Sequence, residues 1–429
     1  MNVRNMNRFL GSLCLTAVAT TVFAQGSTVS PYSQYGFGEM APQGVGMNRA
    51  MNGLGVGLHR GNQVNPLNPA SYASVDSLTM LFDMGLSGQI TNFNENGTKI
   101  NANTGNFDYV VSSFRAWKNV GISFGVLPLS NIGYKYSSSS YLEDVQTSVA
   151  TTHQGEGGLH QLYVGAGFRP FKPISFGFNV SYLWGGIDRT VSTSSSSAIN
   201  SLTKTYQVDV NNYTLDFGVQ YDIRFGKQDM LTLGATYGFG HKLNADAECM
   251  IVSTNSTITK ADTTKTVINN ALELPHTFGA GFTYTHGTKW VIGADAQMQR
   301  WSKTQFPDYQ DGQYALSSNL LDNCYKVTVG GEICPRWNSR RFFDRVRYRF
   351  GAGYTTPYYK INGQNGPRQF SVSAGFGIPI MNGYNNRSLL NISAQWVNNA
   401  ADGLIKENTF RINLGLTFNE KWFAKWKVE

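Results

Sequence analysis

Between about Leu78 and Phe418 the chain is tiled by short stretches in which apolar residues alternate with small or polar ones. In the last of them Phe410, Ile412, Leu414, Leu416 and Phe418 interleave with Arg411, Asn413, Gly415 and Thr417. Alternation of this period gives a strand one apolar and one polar face, so it needs oil on one side and water on the other. Strands can be drawn near residues 78–93, 106–117, 120–136, 156–169, 174–189, 205–223, 229–250, 266–286, 289–305, 322–335, 345–359, 369–381, 388–398 and 407–418. Long and short connections alternate: 94–105 is long and 118–119 tight, 137–154 long and 170–173 short, and the rhythm persists to the end. The pattern predicts an all-β fold, a transmembrane antiparallel β-barrel of about fourteen strands with both ends on the periplasmic side.

Alternation also assigns faces. Ile174, Phe176, Phe178, Val180, Tyr182 and Trp184 are expected to meet lipid, with Ser175, Gly177, Asn179 and Ser181 turned inward. A soluble β-sandwich would alternate too, but the strand count, the aromatics at strand ends and the glycines on the inner face favour the barrel. Residues 1–24 read as a signal peptide, with Arg4 and Arg8 before an apolar run and Val22-Phe23-Ala24 as cleavage site. No Leu stands three residues before Cys14, which argues against a lipid anchor. Residues 25–76 are rich in Gly, Asn and Pro without sustained alternation, and are expected to plug the lumen. The barrel is expected over 77–418 and a periplasmic tail over 419–429, where Trp422, Phe423 and Trp426 suit an interfacial anchor or a partner contact.

Composition narrows the function classes. The formal charge is +8, but the Lys and Arg are dispersed and many fall in the short turns, which suits interfacial anchoring and excludes nucleic acid as a partner. Beyond the signal stand Cys249, Cys324 and Cys334, an odd number that argues against a disulfide framework. The six histidines show no metal spacing, and no cofactor is expected. Gly121-Ile122-Ser123-Phe124-Gly125 matches a nucleophile-elbow pattern, but it lies within a strand and no helix follows it. His276, after Pro275, reads as a rim histidine, and an enzyme is not expected.

Two stretches resemble the FadL family of outer-membrane transporters for long-chain fatty acids and other hydrophobic compounds. The first runs through Gly46-Met47-Asn48-Arg49-Ala50 and Gly53-Leu54-Gly55-Val56-Gly57 to Asn65-Pro66-Leu67-Asn68-Pro69-Ala70; its Asn68-Pro69-Ala70 triplet is similar to the family's plug signature. The second is Leu272-Glu273-Leu274-Pro275 followed by Trp290, Asp295 and Trp301-Ser302. The opening Ser30-Pro31-Tyr32-Ser33-Gln34-Tyr35-Gly36-Phe37-Gly38 resembles a sub-branch common in Bacteroidetes-type bacteria.

The resemblance implies a plugged barrel in the Gram-negative outer membrane that passively admits hydrophobic small molecules, works as a monomer among outer-membrane lipids and is inserted by the barrel-assembly machinery. It gives Pro128 a role. An interior proline cannot donate to the ladder and marks a bulge or bend; in this family a kinked third strand opens a lateral gate. A carboxylate cargo would want cations at the end of an apolar slot. Lys326, Arg347, Arg349 and Arg411 fall on predicted lumen faces, and their alternative is pairing with Asp295, Glu332 or plug groups. The rival function is a FadL-like barrel acting as a secretion shuttle or surface attachment platform.

Overall fold

The computed structural model describes residues 28–420 apart from 96, 143–146, 196–199, 255–260, 311 and 383–384. The expected signal peptide and the tail beyond Glu420, with Trp422, Phe423 and Trp426, lie outside the described residues. Fourteen antiparallel strands form a closed barrel. They are β1 (Met80–Glu95), β2 (Thr98–Trp117), β3 (Val120–Leu142), β4 (Thr147–Phe171), β5 (Ile174–Ser195), β6 (Ser201–Phe225) and β7 (Asp229–Gly238). β8 (Thr277–His286), β9 (Trp290–Gln299), β10 (Cys324–Ile333), β11 (Arg347–Thr355), β12 (Arg368–Asn382), β13 (Asn385–Ala400) and β14 (Lys406–Glu420) follow. β1 pairs with β14 from Met80↔Glu420 to Asn94↔Lys406, which closes the ring.

The inward and outward faces are those the alternation assigns. On β5, Ser175, Asn179 and Ser181 are buried, while Phe176, Phe178, Val180 and Tyr182 are exposed. A soluble protein would not display that row, whereas a lipid-facing belt is built from it. From Ile174 to Trp184 the belt spans about the 9–11 residues that a tilted strand needs to cross a bilayer. β3 to β6 run to between 22 and 25 residues, so their far ends project beyond the membrane on the long-loop side.

Strands seven and eight end earlier than the alternation predicts. The stretch expected at 229–250 leaves the wall at Gly238, and that expected at 266–286 joins it only at Thr277. Between them Ala247–Thr254 and Ala261–Ile268 form a separate hairpin, whose first arm pairs with the upper part of β6 from Val208↔Ala247 to Ser201↔Thr254. The cause is a crossing at close quarters. Leu243 N donates to Leu272 O, Ala271 N to Ala245 O, and a Cβ on Gly240 would lie 2.3 Å from His276 N. Wall and hairpin share one period of two, so the pattern alone cannot separate them.

The mouth above the membrane is packed. Leu243, Leu272, Trp301, Phe306, Tyr314 and Tyr358 from the outer connections form a buried apolar cluster with Phe37 near the chain's start. The Arg189 guanidinium lies 5.5 Å from the Phe306 ring centre and the Lys204 amine 4.1 Å from that of Tyr309, which pins the hairpin of Phe306–Gln310 and Gln313–Ser317 over the opening.

The belt makes one prediction. Phe124→Arg, on the lipid face of β3, is expected to cost about 2–4 kcal/mol if it sits near the midplane. Ser139→Arg, farther along the same strand above the membrane, is expected to stay within about 0.5 kcal/mol. Urea unfolding in lipid vesicles measures both, and equal losses would mean that the belt is misplaced.

Candidate functional site

Residues from Thr28 to Asp76 pack against the inward faces of strands all round the ring. Asn68-Pro69-Ala70 shows how. Asn68 Oδ1 accepts from Ala70 N at 3.0 Å and so caps the short helical turn Pro69–Ser74. Its Nδ2 donates to Val56 O at 2.7 Å and reaches Val219 O on β6 at 3.3 Å. The turn seats on glycines: a Cβ on Gly177 would lie 2.2 Å from the Pro69 carbonyl carbon, and one on Gly218 would lie 2.0 Å from Asn68 Oδ1. The small residues on the inner face are therefore a footprint for the N-terminal segment. Tyr32 ties the other end down, its hydroxyl donating to Ile405 O at 2.6 Å. Burial, with the Glu407 carboxylate nearby, raises the Tyr32 hydroxyl well above its ordinary range, which keeps the proton available for that bond.

Low in the wall β2 and β3 part. The ladder between β2 and β3 runs from Trp117↔Val120 only as far as Val110↔Val126. Beyond that point β2 pairs with β1 and β3 with β4. Each strand bulges where they separate. On β2 the register jumps from Gly85↔Tyr109 to Leu86↔Phe107, leaving Asp108 as the extra residue. On β3 it jumps from Pro128↔His160 to Ser130↔Leu159, leaving Leu129 extra directly after the proline.

The N-terminal segment bridges the parting. Glu39 and Met40 pair with Asn131 and Ser130 on the freed edge of β3, and Ala41 N donates to Leu129 O at 3.0 Å. Gln43 Nε2 donates to Pro128 O at 2.8 Å, and Gln161 Nε2 donates to Gln43 Oε1 at 2.7 Å. On the β2 side Arg49 meets the bulged Asp108 at 2.7 Å. Arg49, Gln43 and Asp108 escaped the sequence reasoning. The available signal was the slip in alternation at Tyr109-Val110-Val111, which marks a bulge beside an inward carboxylate.

The four cations divide. Arg349 is buried: its Nε donates to Glu332 Oε2 at 2.8 Å, its Nη1 to Asn391 Oδ1 at 2.6 Å and its Nη2 to Gln63 Oε1 at 3.1 Å. Arg347 Nη1 and Arg60 Nη2 both reach Glu332 Oε1, at 2.7 and 3.0 Å. Arg347 and Arg349 thus serve one carboxylate together with a cation of the N-terminal segment. Lys326 and Arg411 instead line a cavity of about 450 Å³ between segment and wall, which also touches Leu127 and Leu129 at the parting. Arg411 Nε donates to Gln89 Oε1 at 2.8 Å, with Glu39 3.8 Å from its Nη2.

The BamG family model matches residues 6–429. The chain belongs to the BamG family. No curated protein matches it. Solved structures of similar fold include the toluene transporter TodX of Pseudomonas putida, with 13% identity over 90% of this chain and 100% of that one and a TM-score of 0.61. A FadL homologue of Pseudomonas aeruginosa shows 12% identity over 90% and 99%, with a TM-score of 0.60. The toluene transporter TbuX of Ralstonia pickettii shows 12% identity over 88% and 98%, with a TM-score of 0.58. This BamG-family chain therefore has the fold of FadL-type barrels and is a Gram-negative outer-membrane protein.

Other candidate groups of the BamG-family chain lie in structural settings. Ser123 Oγ donates to Ser112 O at 2.8 Å and bonds Tyr163 Oη within the wall, with no base beside it. His276 Nδ1 accepts from Gly240 N and pairs with Tyr237 Oη at the rim crossing. Among the described residues no group of three or more His, Cys, Asp or Glu could hold a metal ion, and Cys249, Cys324 and Cys334 are free thiols.

Glu332 is the single carboxylate holding three guanidinium groups, so Glu332→Gln leaves buried cations facing one another. Breaking such a pair costs about 3–5 kcal/mol, and the expected result is loss of that order in urea unfolding together with earlier protease cleavage near Arg60. Unchanged stability and cleavage would refute a fastening role.

Proposed function

We propose that this barrel is an outer-membrane channel for passive uptake of hydrophobic compounds, amphiphiles such as long-chain fatty acids among them. Residues 25–76 act as its plug, and cargo leaves the cavity sideways between β2 and β3 at Pro128. The observation that carries the reading is the parting of those strands beside a cavity that reaches Leu127 and Leu129. A spanning wall normally pairs every backbone group, because an unpaired one in hydrocarbon is costly. Here a proline and two bulges end the ladder at a place where a short piece of the N-terminal segment covers the edge. Apolar solutes that the sugar-coated outer leaflet excludes would gain a route that bypasses it. Arg347 and Arg349 fasten the plug on this reading, and Lys326 and Arg411 face the cargo. A ring closed on itself suits a working monomer.

A second reading, a barrel that acts as an attachment platform, is favoured by one observation. β3 to β6 project well above the membrane, and the mouth beside them is filled by its own apolar cluster.

Pro128→Val separates the two. It restores a backbone donor at the parting and lets the ladder lengthen. Uptake of a labelled long-chain fatty acid by cells is expected to fall about tenfold, roughly 1.4 kcal/mol, while heat-modifiable folding and surface labelling stay normal. Unchanged uptake would remove the lateral route, and a wild-type barrel with no hydrophobic uptake would favour the platform.

A further inference from the structure

The cavity is lined by seven glutamines and four asparagines. Most are satisfied within the protein: Gln43 by Gln161 and Pro128, Gln395 by Asn52, Asn399 by Glu407. Others are not, Asn179 Oδ1 and Thr214 Oγ1 on β5 and β6 among them, and three such groups lie together on the opposite strands. Among the described residues Lys326 Nζ makes no hydrogen bond and no ion pair within 4 Å, although it feels the charge of Asp295, two residues along β9 from its register partner, and Gln297 and Gln369 have no hydrogen-bond partner. They form an arc. Gln297 on β9 pairs in register with Lys326 on β10, which pairs with Thr355 on β11, which pairs with Gln369 on β12. Three strand spacings make that arc about 14 Å wide. The amine lies against the turn of the N-terminal segment at Gly53, whose φ is +87° and whose Cβ, were there one, would lie 3.3 Å from Lys326 Nζ.

A bare hydrocarbon would leave all three groups without a hydrogen bond, and a single carboxylate would answer only the amine. We infer that the arc of Gln297, Lys326 and Gln369 is a head-group subsite for an amphiphile whose head carries an anion and several hydroxyl or amide groups, with its apolar tail directed toward Leu127 and Leu129. A phosphorylated or otherwise acidic sugar on an acyl chain has that chemistry: the anion takes the ammonium, and the two carboxamides donate to and accept from flanking hydroxyl groups. This rests on the uptake reading and narrows its cargo.

The test uses the full-length protein in lipid nanodiscs and three probes: dodecyl N-acetylglucosamine 1-phosphate, dodecanoate and free N-acetylglucosamine 1-phosphate. The sugar-phosphate amphiphile is expected to bind about tenfold or more tighter than either of the others. Lys326→Met is expected to remove about tenfold of that affinity and Lys326→Arg to restore most of it, while dodecanoate binding moves less than about threefold. Gln297→Leu and Gln369→Leu should each weaken the sugar-phosphate probe alone. Dodecanoate binding as tightly as the amphiphile, or Lys326→Met leaving both unchanged in a protein that folds, would overturn the subsite. Free head group binding as tightly as the amphiphile would overturn its assignment to an amphiphile. If the subsite holds but entry of the bound amphiphile into cells is insensitive to Pro128→Val, the lateral route fails and the subsite stands.

Discussion

Every backbone amide that crosses a membrane must find its partner inside the protein, and in this barrel one stretch of wall finds it in the chain's own beginning. Where β2 and β3 separate, the exposed edge of β3 is paired by residues 39–41 rather than by the next strand. A gap in a barrel wall is tolerable only when something supplies those hydrogen bonds. The surrounding features follow from that need. The bulges at Asp108 and Leu129 turn the two strands apart, Arg49 and Gln43 hold the ends of the bridge, and the glycine footprint under Asn68–Ser74 lets the segment lie close enough to reach.

The fastening is uneven, and this gives the interior two characters. At the Glu332 end one buried carboxylate holds three guanidinium groups with little exposure, an arrangement costly to break once formed. At the parting Arg49 and Asp108 form one buried ion pair, and the remaining bonds, from residues 39–43 to β3 and β4, are neutral. A segment fastened by a charge cluster at one end and mostly by neutral bonds at the other can yield locally without leaving the lumen.

Much of the fold was legible because a lipid-facing wall imposes a strict period of two, and the turns alternate with it. The hairpin of 247–254 and 261–268 was not, because it carries the same period as the wall it leaves, and only the crossing at Gly240 and His276 diverts it. Pro128 was visible as a ladder breaker, whereas the answering bulge at Asp108 showed only as a slip between neighbouring apolar residues. For the cations, alternation placed all four inward. Glu332 and groups of the N-terminal segment were among the partners it offered them, but it could not say which two of the four would meet Glu332 or that Arg60 would join, since ring geometry and not spacing brings them together.

The seam of the barrel joins Met80 to Glu420, the two ends of the wall. The first described residues lie against that same closing strand: Ser30 Oγ donates to Glu407 Oε1, and Tyr32 reaches the carbonyl of Ile405 just before it. Arg60, farther along, is held by β10. The ring is thus drawn shut around its own leading segment. The contacts that seat that segment at the seam join residues 377 apart in sequence, so the closure of the wall and the placing of its contents share one strand.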